Sequence, residues 1–390
     1  GEKKMSLAEL QKIEKNNMEK RLKVDTNPFY QEILRWNFRN KSDYPYENFN
    51  YQKTKIKYDN TQDYQQTMGP LLLLETWQQL IRSKQLELQQ VITIDVTNRI
   101  TVGSFFVVFA TVPTSLWEKC GFTDSDICGL GCNKGKNNKS MAPQSSKNFE
   151  TLDIVNYAKI DEVKNTRGDL KEISIKISLE SEIAGFVSPG SFLYLTKITS
   201  VVTSEREYTT LYGLPYYNLL EKLMTSIIST PLKPSSSELK NTVGTYNVNV
   251  SQAEAIIGAT NSEGISLVQG PPGTGKSKTI VSMLKYYFDK AKINFEEMPT
   301  NKKRVLLCAP SNAAIDELLV RLASETKLNL VRIGRKDAVN IKVQHLVLNE
   351  LIESKLKKPE LISIDNNKYQ EEVKKRNDIK NKIEAVKSKI

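Results

Sequence analysis

The stretch Gly270-Pro271-Pro272-Gly273-Thr274-Gly275-Lys276-Ser277 matches the phosphate-binding pattern G-x-x-x-x-G-K-[ST] without a gap. Before it, Ile265-Ser266-Leu267-Val268-Gln269 reads as a short buried strand. After it, Lys278 through Phe288 reads as a helix with Ile280, Met283, Leu284 and Tyr287 on one face. Strand, glycine loop and helix together are the context the pattern requires. Small residues let several backbone N–H groups converge on phosphates at a helix N-terminus, whose partial positive charge favours an anion. The eight loop residues and Lys278 are therefore candidate ligands of a nucleoside triphosphate. Lys276 supplies a cation for the β/γ-phosphates and the Ser277 hydroxyl a ligand for Mg²⁺, and these two are the candidate catalytic residues.

About 35 residues on, Arg304-Val305-Leu306-Leu307-Cys308-Ala309 reads as a second buried strand, with Cys308 a small hydrophobe within it. Pro310 stops it, and Ser311-Asn312 can cap a helix running through Leu319 and Leu322. Two β-α units in succession predict a parallel sheet. The segment Ala309-Pro310-Ser311-Asn312-Ala313-Ala314-Ile315-Asp316 resembles motif Ia of superfamily 1 helicases, in the branch that contains senataxin and the nonsense-mediated-decay helicase. Upstream, Asn249-Val250-Ser251-Gln252 resembles that branch's Q motif, in which Gln252 would read the adenine edge. Downstream, Val331-Arg332-Ile333-Gly334-Arg335 resembles motif Ib. Three further segments are similar to the senataxin group in particular: Arg21-Leu22-Lys23-Val24-Asp25, Leu71 through Trp77, and Arg206-Glu207-Tyr208 on to Tyr212-Gly213-Leu214-Pro215-Tyr216-Tyr217.

The resemblance implies ATP and Mg²⁺ as cofactors, single-stranded RNA or DNA as the track, and 5′-to-3′ translocation that unwinds duplexes or RNA–DNA hybrids. It also implies RNA polymerase or RNA-processing factors as partners and a nuclear role in transcription termination or RNA processing. Ser311, Asn312, Arg332 and Arg335 are the candidate nucleic-acid contacts, groups suited to phosphates rather than to base edges. The family's motif II, motif III and second RecA-like domain have no counterpart before Ile390. Residues 1–390 by themselves are therefore expected to be nearly inactive, because a Walker B Asp holds Mg²⁺ and an arginine finger contributes about 10³–10⁵ in rate. Two alternatives belong to other classes: an AAA+ remodelling ATPase and a nucleotide-gated binding module without unwinding. The first needs an acidic pair at a strand end. Asp316-Glu317 falls inside the predicted helix, which makes Asp316 a helix-face carboxylate.

Composition agrees with a multi-domain chain. The 390 residues are 39% hydrophobic, which supplies material for two or three cores. The net charge of +11 suits a polyanionic partner. No apolar run approaches the ~18 residues of a membrane span, and Gly1-Glu2-Lys3-Lys4 is no signal peptide. Four cysteines fit a reducing compartment; Cys120, Cys128 and Cys132 lack the paired spacing of a zinc ribbon, and the sole histidine, His345, is remote.

The predicted fold class is α/β: an incomplete RecA-like parallel-sheet motor domain with a small β-barrel inserted on a helical stalk, and a helical prong. Residues 1–64 read as a helical arm or brace, and 65–90 as a stalk helix opening at Pro70. The period changes to two from Val91, with Ile173-Ser174-Ile175-Lys176-Ile177 alternating cleanly, so 91–205 reads as an all-β module. Phe105, Phe106 and Phe192 are read there as core. The helix and Pro/Ser linker of 206–238 return to the motor segment 239–345, and 346–390 reads as the prong. That the β module is a barrel, and the last segment a prong, is implied by the resemblance.

Overall fold

The computed structural model describes residues 7–85, 90–134, 149–166, 168–217, 224, 233–262, 265–297, 304–334 and 336–356. The chain divides into two compact units, Gly1–Ile227 and Ile228–Ile390.

The first unit is built on six antiparallel strands: β1 (Val91–Val102), β2 (Phe105–Pro113), β3 (Asp126–Cys132), β4 (Ile154–Asn165), β5 (Leu170–Ser178) and β6 (Phe192–Ser200). They close into a barrel in the order β1-β2-β5-β4-β3-β6, with β6 returning to β1. Closure removes the sheet edges, and register shifts at Val96/Asn98, Ile127/Cys128 and Ile160/Glu162 supply the bends that closure needs. The alternation seen in the sequence fills the interior: Ile92, Ile94 and Val96 from β1, Leu130 from β3, Ile173, Ile175 and Ile177 from β5, and Leu193 and Leu195 from β6. Cys128 and Cys132 point into this interior, and burial pushes the Cys132 thiol up to about 11. Among the described residues no group of His, Cys, Asp and Glu is placed to hold a metal.

A second core covers part of the barrel's outer wall. It receives Phe105, Ile127, Tyr157, Tyr194 and Ile198 from the strands. Against them lie Phe29, Tyr30, Ile33 and Leu34 of the short helix Asn27–Leu34, which Pro28 opens, together with Trp36 and Phe38. The long helix Thr61–Lys84 adds Trp77 and Leu80 to the same core. In chain order the helices here are α1 (Leu7–Leu22), α2 (Asn27–Leu34), α3 (Thr61–Lys84), α4 (Thr114–Cys120) and α5 (Val202–Gly213). Phe105 is buried as read, while Phe106 is partly buried against the barrel core.

The stalk helix starts earlier than the sequence reading placed it. Asn60 caps α3, its side chain accepting from the Asp63 N–H, and Pro70 lies inside the helix rather than at its start. A proline tolerated in mid-helix hides the true N-terminus from a reading that treats proline as punctuation. α5 packs on α3 as expected: Gln65 Nε2 donates to the Leu211 carbonyl at 3.0 Å, and a Cβ on Gly69 would stand 3.0 Å from the Tyr212 hydroxyl. The three segments that resemble the senataxin group belong to this same assembly. Arg21 donates to the Tyr216 carbonyl at 2.7 Å and lies over the Tyr217 ring, and Leu72, Leu73, Leu74 and Trp77 line the core beside Tyr208.

The second unit holds α6 (Ser236–Tyr246), α7 (Val250–Asn261), α8 (Lys276–Glu297), α9 (Asn312–Glu325) and α10 (Leu348–Leu356). Val248, Ile256, Ile257 and Tyr286 pack one core, and Val281, Leu318 and Leu322 another between α8 and α9. Helix α6 begins at Ser236 on a Ser235 cap, so the expected linker is shorter than read. The two segments read as buried strands, 265–269 and 304–309, form no strand ladder. Leu267 is 91% and Leu306 78% exposed, and Cys308 is exposed as well. A strand needs a hydrogen-bonded neighbour along at least one edge, and no described residues supply one to either segment. Arg332 and Val347 form an isolated parallel bridge. The prong expected over 346–390 is helical over α10, and residues 357–390 lie outside the described residues.

Candidate nucleotide and nucleic-acid site

The phosphate loop runs directly into α8, which begins at Lys276. The N–H groups of that first turn have no acceptor within the helix, and they open on the loop. Gly273 and Gly275 take φ of +81° and +80°, a region L side chains rarely adopt. Gly270 is needed for a different reason: a Cβ there would lie 2.8 Å from Thr274 Oγ1 and 3.1 Å from Lys276 Cγ.

The loop satisfies its own polar groups. Lys276 Nζ donates to the carbonyls of Gly270 at 2.7 Å and Pro271 at 2.9 Å, and Thr274 Oγ1 donates to Pro271. These are exposed contacts, replaceable by an anion at little cost. Ser277 is half-buried at the first turn of α8, and Pro272 and Lys278 are exposed beside it. The donor set fits a polyphosphate: a cation, a hydroxyl and a helix N-terminus lie within one short loop and the first turn of α8.

Gln252 is held against this loop. With Asn249 it forms a capping box at the start of α7, its Oε1 accepting from the Asn249 N–H at 3.1 Å. Its Nε2 donates to the Thr274 carbonyl at 2.9 Å. Gly275 passes so close that a Cβ there would sit 2.8 Å from Gln252 Nε2. The sequence-predicted base reader and phosphate loop are thus in direct contact.

The predicted nucleic-acid residues divide. Ser311 caps α9, its Oγ accepting from the Ala314 N–H at 3.3 Å, and both Ser311 and Asn312 are exposed. Arg332 is a correction: it is not a solvent-facing arginine. It is 8% exposed, with Nε donating to Asp316 Oδ1 at 2.9 Å, one terminal nitrogen to Asn312 Oδ1 at 2.7 Å and the other to the Ile333 carbonyl at 2.6 Å. Arg335 lies outside the described residues.

Asp316 was the residue the sequence reading undervalued. It lies within α9, as expected, which removes it and Glu317 as a strand-end acidic pair. Yet it is 3% exposed rather than on a solvated face, and its second oxygen accepts the Asn340 N–H at 2.8 Å. Its neighbours carried a signal. Ile315, Leu319 and Leu322 mark the buried stripe of α9, and a carboxylate one position from that stripe requires a partner.

Residues 247–390 match the AAA domain family, and residues 87–198, which contain β1–β5 and most of β6, match the Helicase SEN1 beta-barrel domain family. The chain is 35% identical over 416 residues to Helicase SEN1 of Saccharomyces cerevisiae, a match covering 98% of this chain and 18% of that protein. It is 30% identical over 377 residues to Helicase sen1 of Schizosaccharomyces pombe, covering 91% and 21%. Over 246 residues it is 27% identical to Probable helicase senataxin of Homo sapiens, covering 57% and 8%. It spans about a fifth or less of the length of these relatives. With a barrel in the first unit, a phosphate loop in the second and similarity along nearly its whole length, the chain belongs to the senataxin family of superfamily 1 helicases.

Proposed function

We propose that this chain is the front part of an ATP-dependent 5′-to-3′ RNA/DNA helicase: a barrel-bearing accessory unit followed by the first half of a RecA-like motor. The observation that carries the reading is the phosphate loop at the head of α8, with Gln252 in contact with it and the Ser311-capped head of α9 in the same unit. ATP would be held by Gly270–Lys278, with Lys276 exchanging two backbone carbonyls for phosphate oxygens and Ser277 offering its hydroxyl to Mg²⁺. Gln252 would read the adenine. Bound ATP with Mg²⁺ supplies the hydrolysis that drives movement, and Ser311 and Asn312 would hold a phosphate of the single strand without reading its bases. The resemblance to the senataxin family implies a nuclear setting in RNA processing or transcription termination, with RNA polymerase or processing factors as partners.

In the full-length protein, Lys276→Ala is expected to abolish strand-stimulated ATP hydrolysis and unwinding of tailed duplexes while the melting temperature stays within a few degrees, because the side chain is exposed. Turnover near wild type would remove the phosphate-loop assignment.

A further inference from the structure

We propose that Asp316 and Arg332 are positioning residues for nucleic-acid binding, a buried ion pair that locks the Asn312 amide with its NH₂ group turned outward. This rests on the reading of Ser311 and Asn312 as strand contacts. A guanidinium can only donate, so the Asn312 atom facing Arg332 at 2.7 Å must be the carbonyl oxygen. The amide is planar, so its NH₂ then points away from the pair, at the exposed head of α9. Ser311 is fixed in the same sense: its oxygen accepts from Ala314 N–H, which leaves its hydrogen to donate elsewhere. Two neutral donors thus share a helix N-terminus and suit an anionic oxygen.

The lock is rigid because both residues of the ion pair are held more than once. Asp316 spends one oxygen on Arg332 and the other on the Asn340 N–H. Arg332 is clamped through its backbone, donating to the Leu346 carbonyl at 2.7 Å and accepting from Leu348 N–H at 3.1 Å. Its fork then spans Asp316, Asn312 and the Ile333 carbonyl at once, a geometry that lysine's single ammonium cannot reproduce. Arg332 accordingly contributes to strand binding through Asn312 and not by neutralising a phosphate.

The test uses the full-length protein, with affinities for oligo-U and oligo-dT measured over a salt series beside the melting temperature. Asn312→Ala is expected to weaken binding about 3- to 10-fold, the loss of one net hydrogen bond. Arg332→Lys and Asp316→Asn should weaken it by a similar factor, with the salt slope unchanged and no further loss when Arg332→Lys is added to Asn312→Ala. Should the single variants unfold, Asp316→Leu/Arg332→Met removes both charges while keeping apolar volume, and it should show the same loss. A slope flattened by about one unit, or losses that add to those of Asn312→Ala, would make Arg332 a direct phosphate contact and overturn the proposal. Unchanged affinity with a lowered melting temperature would reduce the pair to a structural role and overturn it too. If Asn312→Ala binds as wild type, the phosphate track fails, and the positioning role fails with it.

Discussion

At the residue scale, Gly275 and Gln252 show how tightly the proposed base reader is packed against the proposed phosphate loop. Gly275→Ala adds a methyl 2.8 Å from Gln252 Nε2 at a φ of +80°, and the left-handed backbone alone costs about 1–2 kcal/mol. Nucleotide affinity, read with a fluorescent ATP analogue, should fall sharply. Adding Gln252→Ala should restore it only in part, since that change relieves the contact and leaves the strained φ. Lys84 makes a second residue-level case. It donates to the Phe38 carbonyl at 2.6 Å and lies over the rings of Phe38, Trp77 and Tyr157. Burial pushes it down to about 8, with Lys41 acting in the same direction and Glu150 opposing. Between that value and its ordinary 10.5 the unfolded chain holds more protons than the folded one, so stability rises with pH. Thermal melts should show the first unit gaining stability from pH 8 towards 10, and Lys84→Met should erase that rise.

At the element scale, β3 explains why a barrel strand carries two glycines. All seven of its residues are buried, because one face meets the barrel interior and the other meets the helices outside. A Cβ on Gly129 would lie 2.7 Å from Phe149 and 2.9 Å from Phe38. Gly129→Val should therefore expel one ring from the outer core and destabilise the unit by about 1–3 kcal/mol, measurable by urea titration. Two-residue alternation made β5 legible, but β3 carries none. A strand buried on both faces has no alternation to show. α3 was legible as a helix, yet its first turn was not, because the cap at Asn60 precedes Pro70 by more than two turns.

At the scale of the molecule, the two units have separate cores, and perturbing one should leave the other. Trp77 is fully buried, meets Trp36 edge to face at 5.4 Å and donates to the Ser42 carbonyl. Trp77→Ala should cost about 3–5 kcal/mol and lower the melting transition of Gly1–Ile227 alone. Calorimetry with and without ATP can assign the transitions, because ligand raises only the unit that binds it. A single transition that shifts as one would refute this independence.

The sequence by itself determined the phosphate loop, the cap at Ser311 and the alternating face of β5. Each of these is written within a few residues, as spacing, a φ requirement or a two-residue period, so no distant partner is needed to read it. The tertiary structure alone decided the direction of Arg332. Its exposure and its charge partner depend on Asp316, sixteen residues earlier, and on Asn340, which the chain brings to the other oxygen of that carboxylate. The same holds for the segments 265–269 and 304–309: apolar composition marks them as strand candidates, but whether they pair and are buried rests on neighbours that local sequence does not specify. Pattern encodes which way a side chain leaves its own element; what it then meets is a property of the packed chain.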